Sequence, residues 1–148
     1  MSAGAKPAHP ARLLAVGQVR YVNPESLGRP SGFSHAVVAR GTTVHLAGQT
    51  GVDTDGGVVA GGLVAQFEQA LSNLLVVLDE AGGGPGDLVS MTVYIVDIAD
   101  YRAHAEDIGA VWRRLVGSTY PAMAGVGVAR LWEADALVEL QAVAVLAE

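Results

Sequence analysis

Leu63, Phe67, Leu71, Leu74 and Leu78 recur at intervals of four, four, three and four residues. That spacing aligns apolar side chains along one stripe of an α-helix. The run Gly82-Gly83-Gly84-Pro85 ends it, because glycine accepts the left-handed cap and proline cannot continue a helix. Residues 88–98 change period from near four to two: Val89, Met91, Val93 and Ile95 form an apolar face, and Ser90, Thr92 and Tyr94 share the other with Leu88 and Val96. A second helix follows, N-capped by Asp97 or Asp100, with Tyr101, Ala105, Ile108, Trp112 and Leu115 as its stripe and its end near Gly117. Upstream, residues 13–21 read as a first strand, followed by a turn-rich stretch over 23–32. The short apolar runs 36–39 and 43–47, divided by Arg40-Gly41, read as a hairpin. Asp53 to Gly57 is a loop by composition. Two strands close the chain, over 122–131 and 137–146, joined by a turn at Glu133-Ala134-Asp135.

The predicted order is therefore β-β-β-α-β-α-β-β. Each strand–helix–strand passage calls for a right-handed crossover between parallel strands, which sets both helices on one face of a single mixed six-stranded sheet. Nothing within the chain is left to cover the other face. Its expected residues are Ser90, Thr92 and Tyr94, then Met123, Gly125 and Gly127, then Glu139 and Gln141. A solvated sheet face carries more Lys and Glu than this, so the pattern predicts burial against a second copy of the chain.

Composition sharpens that reading. Of 148 residues, 51% are apolar and only 16% charged, where an average domain is nearer ~25% charged. The length suits one domain, expected over residues 12–148 behind a loose tail over 1–11. That tail has no apolar signal core, which points to the cytoplasm. With no cysteine, disulfides, thiolate catalysis and Cys-based zinc sites are excluded. No run of 18 apolar residues offers a membrane span. The net charge of −6 and the lack of a basic-aromatic patch argue against nucleic acid.

Few residues promise chemistry. Glu139 lies mid-strand between Leu137, Val138, Leu140 and Ala142, where partial burial would raise its pKa and let it shuttle protons; the same position suits a structural carboxylate. Gly125 and Gly127 weaken a strand unless a ligand or another backbone must come close. Ala47-Gly48-Gln49, with Gly51 beyond, fits a tight turn or a ligand-facing backbone. The histidines lack metal-ligand spacing, Gly82-Gly83-Gly84 ends a helix where a phosphate loop would begin one, and no Gly-x-Ser-x-Gly occurs, so no metal and no cofactor are expected.

Taken in order, Ser31-Gly32-Phe33-Ser34-His35-Ala36-Val37, Leu46-Ala47-Gly48-Gln49, the helix with Gln66, Leu71 and Asn73, Thr92-Val93-Tyr94 leading to Asp97, Pro121-Ala122, Val128-Ala129-Arg130-Leu131 and Val138-Glu139-Leu140 resemble the RidA/YjgF reactive-intermediate deaminases. The resemblance covers nearly the whole domain, from Ser31 to Leu146. It implies a chorismate-mutase-like α+β fold, a homotrimer with ligand clefts between subunits, and cofactor-free hydrolysis of 2-imino or 2-enamino acids to 2-keto acids and ammonia. In that chemistry an arginine of a Pro-Ala-Arg motif holds the substrate carboxylate and a glutamate on the last strand handles water. Some family members have been described as ribonucleases or translation inhibitors.

Glu139 falls at the family glutamate, after a one-residue insertion between Trp132 and Leu137, and Gly48 and Gln49 fall on a Ser-Gly-Gln motif whose serine is Ala47 here. Met123 stands at the arginine, Gly125 at a frequent cysteine, Phe33 at a tyrosine and Ala105 at an asparagine. Methionine cannot make the two parallel hydrogen bonds by which a guanidinium binds a carboxylate. The expectation is a substrate-binding pocket of Phe33, Ala47, Gly48, Ala105, Met123 and Gly125 that is wider and more apolar than in the family pattern. It would take a larger or less anionic imine, enamine or carbonyl compound, with Glu139 as the catalytic acid. The rival reading is a non-catalytic homotrimer that binds a small metabolite.

Overall fold

The structure, a computed structural model, describes residues 19–148. The tail expected over 1–11 and the first part of the expected opening strand lie outside these residues. The strands are β1 (Val19–Val22), β2 (Ala36–Ala39), β3 (Thr42–Thr50), β4 (Leu88–Ile95), β5 (Ala122–Gly127) and β6 (Val138–Leu146), and the helices are α1 (Gly62–Glu80), α2 (Ile98–Ala103) and α3 (Ala105–Leu115). Among the described residues no helix is long and apolar enough to cross a membrane.

Helix α1 buries the stripe its spacing predicts, with Leu71, Leu74 and Leu78 fully enclosed. It stops as the glycine run requires. Gly82 sits at φ 88°, its N–H donates to the Asp79 carbonyl, and the Gly83 N–H reaches back to Leu78, the paired bonds of a Schellman cap. Gln66 and Asn73, both part of the family pattern, act here as backbone braces. The Gln66 amide donates to the Asp135 carbonyl at 3.1 Å and accepts from the Leu137 N–H at 2.8 Å, which ties the turn before β6 to the helix. Asn73 donates to the carbonyls of Thr50 and Val52 and holds the end of β3.

The expected second helix is two. Asp97 caps α2 by accepting from the Asp100 N–H at 3.1 Å. The chain then breaks at His104 (φ −106°, ψ 16°), whose N–H closes on Asp100 and Tyr101 and whose ring lies 3.0 Å from the Asp100 carboxylate. The apolar stripe survives the break except at Ala105, which is exposed, since Ile108 and Trp112 remain buried and Tyr101 and Leu115 pack against the core.

Pairing departs from the sequence reading. Four strands form a mixed sheet in the order β3-β6-β4-β5, in which β4 and β5 run parallel and β6 runs antiparallel to both β3 and β4. The single six-stranded sheet does not form, because β1 and β2 make a separate antiparallel ribbon that meets the main sheet through a bridge between Ser34 and Ala122. Nor do β2 and β3 form a hairpin. Gly41 turns the chain out of the ribbon against the last residues of β6, and β3 pairs along β6. A short glycine turn permits a hairpin, but the nine-residue β6, with apolar side chains on both faces, offers β3 more burial than the four-residue β2 does.

Both long helices pack on one face of this sheet, α1 over β3 and β6 and α3 beside α1. Met91, Val93, Ile95, Val138 and Leu140 point into that core, and Leu88 is buried in place of Val89 because the register shifts between Leu88 and Ser90. The other face carries Ser90, Thr92, Tyr94, Glu139 and Gln141, as expected, with the Tyr94 hydroxyl donating to Gln141. Strand β5 is turned over relative to the expectation. Met123, Gly125 and Gly127 lie in register with Met91, Val93 and Ile95, on the helix-covered side, so the open face takes Ala122, Ala124 and Val126. A one-residue change of phase moves every side chain of a strand to the other face, and a strand built of Ala, Met, Gly and Val has too little contrast to set that phase locally.

Candidate active site

Glu139 sits on β6 between Thr50 of β3 and Tyr94 of β4. Beside it, β3 bulges: Leu46 pairs with Ala142 and Gln49 with Leu140, leaving Ala47 and Gly48 opposite Gln141. Gly48 faces the acid so closely that a Cβ there would run into the Glu139 carboxylate, so glycine is what lets the acid lie against the main chain. Burial raises the pKa of Glu139, and the charge of Glu133 raises it further. Glu133 belongs to the turn before β6, where its carbonyl accepts from the Ala136 N–H, and its Oε2 is buried with no hydrogen-bond partner.

Because the folded protein holds the Glu139 proton more tightly than the unfolded chain does, this group's contribution to stability falls as pH rises from the ordinary 4.5 through the raised value. Glu133→Gln removes the neighbouring charge and leaves the burial. A carboxyl-carbon NMR titration of Glu139 is expected to show its midpoint moving down in that variant while staying above the ordinary value. An unchanged midpoint would mean that the two carboxylates do not interact.

The other predicted residues gather elsewhere. A cavity of about 300 Å³ opens between α3 and β5, with Ala105, Met123, Tyr101 and Arg113 in its wall. A smaller one of about 170 Å³ adjoins it, sharing Tyr101 and Met123 and adding Phe33 and Gly125. At Gly125 a Cβ would come no nearer than 3.7 Å to Ile95, so glycine there leaves space rather than allowing close contact. Burial pushes the Tyr101 hydroxyl up to about 12, which keeps it a hydrogen-bond donor at any physiological pH. Trp112 stacks on Tyr120 at 5.5 Å between ring centres and donates to the Thr119 carbonyl.

The predicted residues thus form two groups. Ala47, Gly48 and Glu139 stand on β3 and β6, and Phe33, Ala105, Met123 and Gly125 surround the cavities at β5. The cavities that hold Met123 contain none of the first group. Tyr101, Tyr120 and Arg113 were missed by sequence reasoning. Tyr101 was legible only as part of a core stripe, and Arg113 as part of a polar helix face. No group of three His, Asp or Glu side chains placed to hold a metal occurs among the described residues.

A mixed sheet with helices on one face and an acid on the other defines a small α+β domain of the RidA/YjgF kind. The family model described as Endoribonuclease L-PSP matches residues 24–146, and the chain belongs to that family, the RidA/YjgF proteins. A Rid-family protein of unknown function from Yersinia pestis superposes with a TM-score of 0.75 at 38% identity, over 86% of this chain and 98% of its own. A 2-iminobutanoate/2-iminopropanoate deaminase from Capra hircus is 35% identical over 76% of this chain and 79% of its own. A RutC family protein from Pyrococcus abyssi is 31% identical over 81% and 91%. Of these three, the Capra hircus protein carries a name that states an activity, the deamination of small 2-imino acids.

Proposed function

We propose that this protein is a homotrimeric hydrolase of imines or enamines whose active site forms where the Glu139 group of one copy meets the Met123 group of the next. The observation that carries this reading is Glu139 itself, a half-buried acid held against the Gly48 backbone with its pKa raised. The bare sheet face supports the assembly, since Ser90, Thr92, Tyr94, Ala122, Ala124 and Val126 bring no charge to it.

A protonated imine carbon is already electrophilic and needs no cofactor. Water adds its oxygen to that carbon while Glu139 takes the water proton. Glu139 then returns that proton to the nitrogen, and the C–N bond breaks as the hydroxyl oxygen forms the carbonyl and passes its own proton back to Glu139. Protonated imine and water thus become carbonyl compound and ammonia, which leaves with that last proton as ammonium. A pKa raised by burial makes Glu139 a stronger base for the first transfer and still lets it release the proton in the second. With Met123 at the arginine position, and with Phe33, Ala47, Ala105 and Gly125 replacing polar groups of the family pattern, the pocket favours larger imines over 2-iminobutanoate. The net charge of −6 speaks against RNA as the substrate.

Ammonia release from 2-iminobutanoate and from bulkier aromatic imines generated in place, together with sedimentation velocity, tests the reading. The expected result is three times the 15.2 kDa chain mass and faster turnover of the bulkier imines. A monomer, or turnover of 2-iminobutanoate matching that of an arginine-containing relative, would overturn it. A trimer that binds such compounds without releasing ammonia would leave the non-catalytic alternative standing.

A further inference from the structure

We propose that Arg113 on α3 is the anion-binding group of the cavity between α3 and β5, so that the site takes a carboxylate-bearing molecule with an apolar body. This rests on the hydrolase reading only for the identity of the site as the substrate pocket.

Four observations carry it. Arg113 lines the same cavity as Met123, Ala105 and Tyr101. Its guanidinium lies along Gly109, one turn earlier, where a Cβ would stand 3.2 Å from Nη1; glycine at that position clears the path over which the side chain lies. Among the described residues Arg113 has no acidic partner, whereas its neighbour Arg114 is bound to Glu68 at 2.6 Å. The rest of the wall is largely apolar and aromatic, including Ile108, Trp112 and Met123, with Ser31 and Tyr101 as further hydroxyl-bearing residues.

An unpaired guanidinium beside an apolar cavity binds a planar carboxylate through its parallel N–H groups, while the body of the ligand fills the space toward Met123. Because Arg113 is exposed, it stands at the mouth of the cavity. A ligand held there must therefore reach from the guanidinium into the interior. The pocket has moved its anion contact from strand to helix, and its substrate is longer in consequence.

The probes are phenylacetate and phenylacetamide, which share shape and differ in charge. Trp112, in the cavity wall, reports their binding by fluorescence once Trp132, 95% exposed, is changed to Phe. Phenylacetate is expected to bind at least ten times more tightly than the amide. Arg113→Gln should bring that ratio close to one, and Arg113→Lys should recover part of it. Gly109→Leu, which crowds the guanidinium without removing its charge, should lower the ratio as well. Equal binding of the two probes, no measurable binding of either, or a preference that survives Arg113→Gln would overturn the proposal. The readout is independent of turnover. A charge preference without ammonia release would defeat the hydrolase reading alone, and ammonia release without the preference would defeat the Arg113 assignment alone.

Discussion

Glu139→Gln is expected to lower imine turnover by ~10²–10⁴-fold, the usual contribution of a positioned acid–base group, with the proposed assembly and the thermal stability unchanged. Glutamine keeps the shape of the side chain beside Gly48 and loses only the ability to gain and release a proton. Stability should not fall, and the sign follows from the raised pKa. The ionised form is the one the fold disfavours, so at neutral pH a neutral side chain relieves the folded state of a charge it solvates poorly. Steady-state ammonia release and a thermal melt on the same samples check both halves. A variant that keeps its activity, or one that loses activity and melts early, would assign Glu139 to structure.

Met123→Arg should restore selectivity for small 2-imino acids. Two charge-assisted hydrogen bonds at roughly 1.5–3 kcal/mol each give about 3 kcal/mol or more, which is on the order of a hundredfold in kcat/KM for 2-iminobutanoate. Met123 is half-buried, packs against the core and lines both cavities, so the new guanidinium would enter the pocket. Arg113 stands in the wall of the larger cavity, and two like charges there oppose one another. The gain is therefore expected to grow when Arg113→Gln is combined with Met123→Arg. A kcat/KM unchanged in both the single and the double variant would mean that the carboxylate of the substrate is not held at position 123.

The residues that were legible in advance are those whose role is settled within a few turns of chain. The stripe from Leu63 to Leu78, its glycine stop, the Asp97 cap and the alternation through Met91, Val93 and Ile95 each depend on neighbours close in sequence. Glu139 could be singled out for the same reason, as an acid among apolar neighbours on one strand. The ordered motifs from Ser31 to Leu146 were enough to reach the family. The match to residues 24–146 bears that out.

Long-range pairing was not legible. That β6 lies between β3 and β4, that β2 leaves β3 for β1, and that β5 turns Met123 toward the helices all depend on which distant strand offers the most burial. Weakly patterned segments such as Ala122–Gly127 carry no local record of that competition. Chemistry assembled across elements was hidden for the same reason. Glu133 acts on Glu139, and Arg113 lines one cavity with Met123, only once the chain has folded. Periodicity within the chain dictates which elements form and which side of a strongly patterned one is apolar. Burial shared between segments far apart in sequence decides their partners, and with them the composition of the pocket.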